Sequence, residues 1–457
     1  MRLISISLLM CAALVAAPAD LIVSAGKVVT MDGQRRIIDN GAVAIAKGRI
    51  VAVGPRAEID KAYTAAKRID RPDALLTPGL VNAHTHAAMS LLRGMADDVE
   101  LDDWLRRFIF PAEAKNVNEA FVRAGTRLAV LEMMLGGTTT YADMYYFEPA
   151  VAEETKKAGM RAVLGQTVIG FPAPDYKTPE AALAATEKFI AAYRSDALIT
   201  PAVGPHAPYT NSEETLKAAR ALANKYGVPY LIHVSETNQE NMESGLKHHR
   251  LSPTMYLDSI GALDGRTVMA HMVWAGSNDL QFVKTRGAGI VHCPSSNAKL
   301  ASGIANVPAM VAMNLPLGLG TDGPAGSNND FNLFEEMDLA SKLAKVNTRS
   351  PKVLPAKTMF EMATLGGARA LGMDKEIGSL EAGKRADLIT VSLNEPNGAP
   401  AHDPYSMLVF SLKASNVQDV VIEGRVTVEN KRPLTLNPVQ ISKEAAAIRA
   451  KVDASLK

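Results

Sequence analysis

The chain has 457 residues, 47% hydrophobic and 21% charged, with 49 basic against 48 acidic side chains. That is ordinary globular composition, which excludes collagenous, coiled-coil and disordered architectures. Near-neutrality without a basic block argues against a nucleic-acid groove or an electrostatic membrane footprint, and leaves a small-molecule substrate as the expected partner.

Residues 1–19 read as an export signal that would place the mature protein in the periplasm. Arg2 supplies a short basic start, residues 3–17 an apolar stretch, and Ala17-Pro18-Ala19 a small-x-small cleavage pattern. Asp20 ends the apolar run before it reaches the roughly 20 residues of a membrane span, so no stable anchor is expected after cleavage. Cleavage removes Arg2 and no acidic residue, leaving basic and acidic groups equal in number. It also leaves Cys293 as the sole cysteine, so stability must come from the core rather than from an intrachain disulfide.

Residues 20–76 predict β-prone runs at 21–23, 27–30, 42–45 and 49–53, with Asp32-Gly33, Asn40-Gly41 and Lys47-Gly48 as turn formers. Residues 77–377 alternate apolar runs with amphipathic stretches, the pattern of a parallel (β/α)₈ barrel. Eight strands are expected, at 80–86, 138–143, 161–166, 199–204, 230–233, 267–271, 289–292 and 317–322. Helices are expected at 120–135, 180–193, 213–225, 331–345 and 356–371. Strand-like material returns within 378–435, at 386–391, 417–422 and 425–428, and residues 436–457 carry a terminal helix starting near Ile441. The two β-rich ends are expected to build one small composite β-sandwich beside the barrel.

The polar residues fall where barrel chemistry sits. His84 and His86 end the first expected strand, His233 the fifth, His271 the sixth and Asp322 the eighth. Strand ends of a (β/α)₈ barrel converge on its C-terminal face, so residues more than 200 positions apart can share a pocket. Side chains two apart on a strand share a face, so His84 and His86 can reach one ion while Thr85 points away. Imidazole and carboxylate donors suit zinc, with iron, manganese or cobalt as alternatives, and a catalytic site leaves a position for water. The expected set is one divalent ion on His84, His86, His233 and Asp322. Spacing alone does not assign shells, and His271 could serve as a ligand too. Glu236 and His271 are placed to move protons or polarise water, or merely to orient a ligand. His206 sits in a loop stiffened by Pro205 and Pro208, His292 reads as structural, and Cys293 as a small buried residue.

Four segments carry a resemblance: 78–89 around His84-Thr85-His86, His233-Val234-Ser235-Glu236, His292-Cys293-Pro294-Ser295-Ser296-Asn297, and Gly320-Thr321-Asp322-Gly323 followed by Asn328-Asn329. From about residue 20 to 435 the chain resembles the amidohydrolase superfamily, in the branch of methylthioadenosine/S-adenosylhomocysteine deaminases, guanine deaminases and triazine hydrolases. The resemblance implies a barrel with a composite β-sandwich and one metal on His84, His86, His233 and Asp322. It implies attack of activated water on an amino-bearing ring carbon, with loss of ammonia. Glu236 would protonate the ring nitrogen while His271 and Asp322 handle the water. The family's two-metal members use a lysine of a central strand, and residues 199–204 hold none, in keeping with one metal. Trp104, Glu113 and His206 resemble substrate-contacting positions, Glu113 the ribose-binding carboxylate. A homodimer or higher homo-oligomer is compatible with this resemblance.

One departure concerns the substrate. Adenosine-type members carry arginines after the third strand, whereas residues 165–172 hold none before Arg194. A carboxylate-bearing substrate is thereby disfavoured. The leading expectation is hydrolytic deamination of an adenine-like nucleoside or related aminated heterocycle. Hydrolysis of a cyclic amide, carbamate or triazine is one alternative, and an inactive metal- or ligand-binding protein another.

Overall fold

The structure, a computed structural model, describes residues 16–455. Most of the expected leader lies outside these residues, and Ala17-Pro18-Ala19 open the first strand. That strand, β1 (Ala17–Val29), merges the two expected runs 21–23 and 27–30 by a bulge between Ala25 and Lys27. Asn40-Gly41 is not a turn. It lies within β2 (Ile37–Ala46), with Gly41 opposite Ala25, because apolar pairing continues on both sides. β3 (Arg49–Pro55) leads through a short helix, Arg56–Ala62, into the long β4 (Tyr63–Pro78).

The barrel strands follow: β5 (Leu80–Thr85), β6 (Thr138–Tyr145), β7 (Arg161–Val168), β8 (Ile199–Pro205), β9 (Tyr230–Val234), β10 (Thr267–His271), β11 (Gly289–His292) and β12 (Leu317–Leu319). They pair in chain order, all parallel. Every position of β5, β6 and β7 is buried, as in a parallel sheet covered on both faces. Val81, Ala142, Val163, Leu231, Val268 and Val291 meet in one apolar cluster inside the barrel. Helices Glu119–Leu135, Pro179–Tyr193 and Glu213–Tyr226 surround it, capped by Asn118, Thr178 and Ser212 respectively. The helix expected at 356–371 runs from Ala356 to Ala370 with a π-helical segment at Met362–Gly366.

Two strand expectations need correction. The eighth strand stops at Leu319, and the chain closes the barrel instead through a single parallel bridge between Thr85 and Asp322. There the Asp322 N–H donates to the His84 carbonyl at 3.0 Å, and Thr321 and Asn82 exchange two further hydrogen bonds. His86 lies one residue beyond β5. The pairing register shifts between Asn82 and Thr85, so the two histidines converge through a bulge and a turn rather than along a straight strand.

Both chain ends form one eight-stranded mixed sheet. It adds β13 (Leu388–Ser392), β14 (Val417–Ile422), β15 (Arg425–Glu429) and β16 (Arg432–Pro433), in the order β16-β15-β14-β13-β4-β1-β2-β3. β4 joins the ends, pairing parallel with β1 and antiparallel with β13. The terminal helix runs from Pro438 to Ser455. Sheet and barrel are tied by a buried ion pair. Arg161, the first residue of β7, donates to both oxygens of Asp387 at 2.6 and 3.2 Å and to the Ala197 carbonyl at 2.7 Å. Breaking one side of such a pair strands the other charge in the interior at a cost of about 3–5 kcal/mol. Arg161 also pairs with Glu423, and Asp387 accepts the Glu423 N–H at 2.7 Å, so Arg161→Ala is expected to lower stability by about that amount in urea titration.

Candidate metal centre and active site

Five polar side chains meet at the end of the barrel where its strands terminate. His84, His86, His233, His271 and Asp322 come from the ends of β5, β9 and β10 and from the loop after β12. The ligand atoms of His84, His86 and Asp322 lie within 4.8 Å of one another, as do those of His84, His233 and His271. His86 Nε2 is 3.2 Å and His84 Nε2 3.4 Å from Asp322 Oδ1, and the Nε2 atoms of His86 and His233 are 3.3 Å apart.

Hydrogen bonding behind the rings shows what this cluster can hold. His86 Nδ1–H donates to the Met144 carbonyl and His233 Nδ1–H to the His206 carbonyl, each at 2.6 Å. Carbonyls only accept, so in the neutral rings both Nε2 atoms present lone pairs to each other and to a carboxylate. His84 Nε2 is buried without any partner. Burial drives His84 down to about 4 and His233 well below the usual histidine range. Burial also opposes protonation of His86, yet the Asp322 carboxylate beside it lifts it to about 9. Burial would raise Asp322, but His84 and His86 hold it well below the usual carboxylate range. A proton can satisfy the His86–Asp322 pair, whereas one metal cation could satisfy His84, His86, His233 and Asp322 together. Nitrogen and oxygen donors that share one ion at about 2.0–2.1 Å lie about 3–3.5 Å apart, and the separations here are 3.2, 3.3 and 3.4 Å. The chemistry of the donor set thus fits a divalent metal ion.

Supporting contacts fix each donor. Asp322 Oδ1 accepts from the Gly323 N–H at 2.7 Å and Oδ2 from the Ser296 hydroxyl at 2.6 Å. Thr85 donates to Asp143 at 2.8 Å, and Asp143 also accepts the Ala87 N–H at 2.7 Å, holding the turn that carries His86. His271 Nδ1–H donates to Asn297 Oδ1 at 3.0 Å, and Asn297 Nδ2 lies 3.5 Å from His292. His292 itself is buried behind this pair and does not line the cavity. Neither Asp143 nor Asn297 stands out in the sequence by spacing; the Asn297 signal lay only in its motif. Four non-glycine residues here have left-handed backbones: Ser235 (φ 54°), His271 (75°), Met272 (49°) and Asp322 (63°). Such conformations cost of order 1–3 kcal/mol each and gather where a side chain must be aimed.

The donors sit at the base of a narrow cleft walled mainly by apolar and aromatic side chains, among them Met89, Leu101, Trp104, Phe110, Tyr145 and Tyr146. Glu236, His271, His206, Glu113 and Trp104 line it together with His86, His233 and Asp322, whereas His84 is not among the lining residues. Glu236 Oε2 is 3.6 Å from His271 Nε2, and burial pushes the Glu236 carboxyl upward. Glu113 accepts the Tyr145 hydroxyl at 2.7 Å and is pushed up to about 7 by burial. His206 Nδ1 faces the Thr210 hydroxyl at 3.1 Å, and burial brings it down to about 3, so its Nε2 is free to accept. Trp104 departs from a simple substrate contact. Its indole N–H is spent on the Ala325 carbonyl at 2.8 Å, which ties the segment after β5 to the loop after β12. Sequence reasoning missed Phe110, Tyr145, Tyr146, Thr167 and Tyr209 as lining residues, which come from strand ends and helical segments far apart in the chain and share no local motif, and it gave Met89 no role beyond its motif. No lysine or arginine lines the cavity among the described residues.

Comparison with known proteins places this arrangement in a wider set. The profile described as "Amidohydrolase family" matches residues 75–427, and one described as "Imidazolonepropionase-like composite domain, bacteria" matches residues 41–66. A protein of Syntrophobacter fumaroxidans named 5-methylthioadenosine/S-adenosylhomocysteine deaminase is 46% identical, covering 92% of this chain and 95% of that protein. A zinc-bound adenosine deaminase structure from Xanthomonas campestris superposes with a TM-score of 0.94 at 37% identity, covering 96% of this chain and 100% of the other. The E. coli guanine deaminase shares the fold, with a TM-score of 0.80 at 23% identity over 89% of this chain and 99% of that one.

Removal and return of metal tests the donor set. Zinc added to chelated protein at about 100 times its Kd is expected to stabilise the fold by about 2.7 kcal/mol, seen as a raised Tm. His86→Ala and Asp322→Asn should lose most of that shift and most of the metal retained on dialysis.

Proposed function

The chain belongs to the amidohydrolase family and is a hydrolase acting on C–N bonds, and from that footing we propose that it deaminates a neutral adenine nucleoside or a closely related aminated heterocycle, with zinc as its metal. The observation that carries this reading is Glu236, a buried acid with a raised pKa, set beside His271 and the donor set at the base of an aromatic-walled cavity. The 46%-identical methylthioadenosine/S-adenosylhomocysteine deaminase and the 37%-identical adenosine deaminase support it.

A divalent ion on His84, His86, His233 and Asp322 would supply the Lewis acidity that makes water nucleophilic at neutral pH. The remaining work falls to side chains. Protonated Glu236 gives its proton to the ring nitrogen next to the amino-bearing carbon, so that carbon accepts the water oxygen. Asp322 and the Nε2 lone pair of His271 orient that water and take up its proton. That proton is then delivered to the amino nitrogen, the C–N bond breaks with loss of ammonia, and the added hydroxyl gives its remaining proton back to Glu236 as the ring carbonyl forms. Glu113, fixed by Tyr145, is placed to accept sugar hydroxyls, and His206 Nε2 offers a second acceptor. Phe110, Trp104 and Leu105 keep bulk water from the reacting ring. With no cation in the wall, a substrate tail bearing a carboxylate has nothing to pair with, so uncharged nucleosides are preferred over S-adenosylhomocysteine.

Metal-loaded protein should release ammonia from adenosine or methylthioadenosine with a kcat/KM well above that for S-adenosylhomocysteine. Turnover of cyclic amides with no ammonia from any aminated ring overturns the reading. Glu236→Gln should lower kcat by about 10²- to 10⁴-fold, the range of general acid–base contributions, while metal content stays unchanged. We propose in addition that residues 1–19 direct export to the periplasm. Mass spectrometry of the periplasmic protein should then find Asp20 as its first residue, and a chain that keeps residues 1–19 counts against it.

A further inference from the structure

Glu236 has to be held in place, and neither the Ser302 hydroxyl near its carboxyl nor His271 makes a short hydrogen bond to it. Its Oε1 is buried without a hydrogen-bond partner, and its Oε2 is 3.6 Å from His271, beyond hydrogen-bonding distance. Its aim therefore comes from the backbone, which is strained one residue earlier, where Ser235 has φ 54°. The carbonyl edge of this segment is tied to the strand end beside it. The Met272 N–H donates to Val234 and the Trp274 N–H to Ser235, both at 3.0 Å. The N–H edge is tied to a single side chain. The Ser235 N–H donates to Glu240 Oε1 at 2.9 Å and the Glu236 N–H to Glu240 Oε2 at 2.7 Å.

Glu240 is the third residue of helix Asn238–Lys247, and its own N–H donates to the cap residue Thr237 at 3.1 Å. In a common capping box the acid at this position returns to the N–H of the cap residue. Here it reaches past the cap to the two preceding amides. It is buried, 7% exposed, and lines the cavity next to the active site rather than the active site itself. We propose that Glu240 is a positioning residue for Glu236: its two oxygens satisfy the paired N–H groups of a left-handed turn and so aim the Glu236 carboxyl at the reacting ring.

The inference rests on the proposed role of Glu236, and the experiment separates the two. Glu240→Gln keeps the shape but leaves one acceptor for two N–H groups, and Glu240→Ala leaves none. In metal-loaded enzyme, kcat is expected to fall about 10- to 100-fold, the usual cost of losing a group that orients a catalytic one. KM should stay within about threefold, since ground-state contacts are untouched. Hydrogen exchange of the peptide spanning residues 233–238 should accelerate in both variants, with or without metal. In the Glu236→Gln background, Glu240→Gln should cost nothing further, because the residue acts through Glu236. An unchanged kcat in Glu240→Ala, an additive loss in the double variant, or a loss in Glu240→Gln that tracks metal content or Tm overturns the proposal. Full turnover by Glu236→Gln overturns the role of Glu236 and this inference together; a dead Glu236→Gln beside a fully active Glu240→Ala overturns this inference alone.

Discussion

The hydrogen bond from the Asp322 N–H to the His84 carbonyl closes the barrel and brings the candidate metal donors together in one stroke. The first and last barrel strands share no regular ladder; they meet at a single bridge beside two of the proposed ligands. Closure at that point demands close approach of backbones. A Cβ at Gly320 would lie 2.8 Å from the His84 Cβ, so only glycine lets the two segments meet there. The centre and the fold are therefore mutually dependent: a loosened barrel separates the imidazoles from the carboxylate, and an unfilled donor set leaves lone pairs facing one another in a dry interior.

Strain is concentrated where chemistry is expected and is compensated by hydrogen bonds from just outside it. Ser235, His271 and Asp322 all adopt left-handed backbones at the ends of strands. Each has a dedicated support: Glu240 beneath Ser235, Asn297 behind His271, Ser296 and Gly323 on Asp322. At Ser235 the support is a buried acid, since a carboxylate can accept two backbone N–H groups at once, which no neutral side chain does as well.

The cavity's upper wall is set by a different device. Trp104 spends its one polar atom on Ala325, and Gly326 beside it has φ 110° with no room for a side chain, since a Cβ would meet the indole nitrogen at 2.6 Å. The tryptophan thus serves as wall and fastening together. The chamber is lined by aromatic rings and by the carboxyl groups of Glu113, Glu236 and Asp322, with no lysine or arginine among its lining residues.

The sequence by itself determined the barrel, its eight strands and the residues that gather at their ends, because hydrophobic periodicity and motif spacing are local properties of a chain. It placed His84, His86, His233, His271, Glu236 and Asp322 at one face, since parallel strands must all end together. Strand limits that tertiary pairing overrides were not legible. Asn40-Gly41 carries a turn signal, yet lies in a strand because β1 and β3 pair with both of its edges. The eighth strand looks continuous to Asp322, but closing against β5 bends it after Leu319. Likewise Asp143, Tyr145 and Glu240 have no signature of their own, and Asn297 had one only in its motif. Only the folded chain gives them roles, because what each contributes is a distance and an angle to a residue far away along the backbone or across a strained turn.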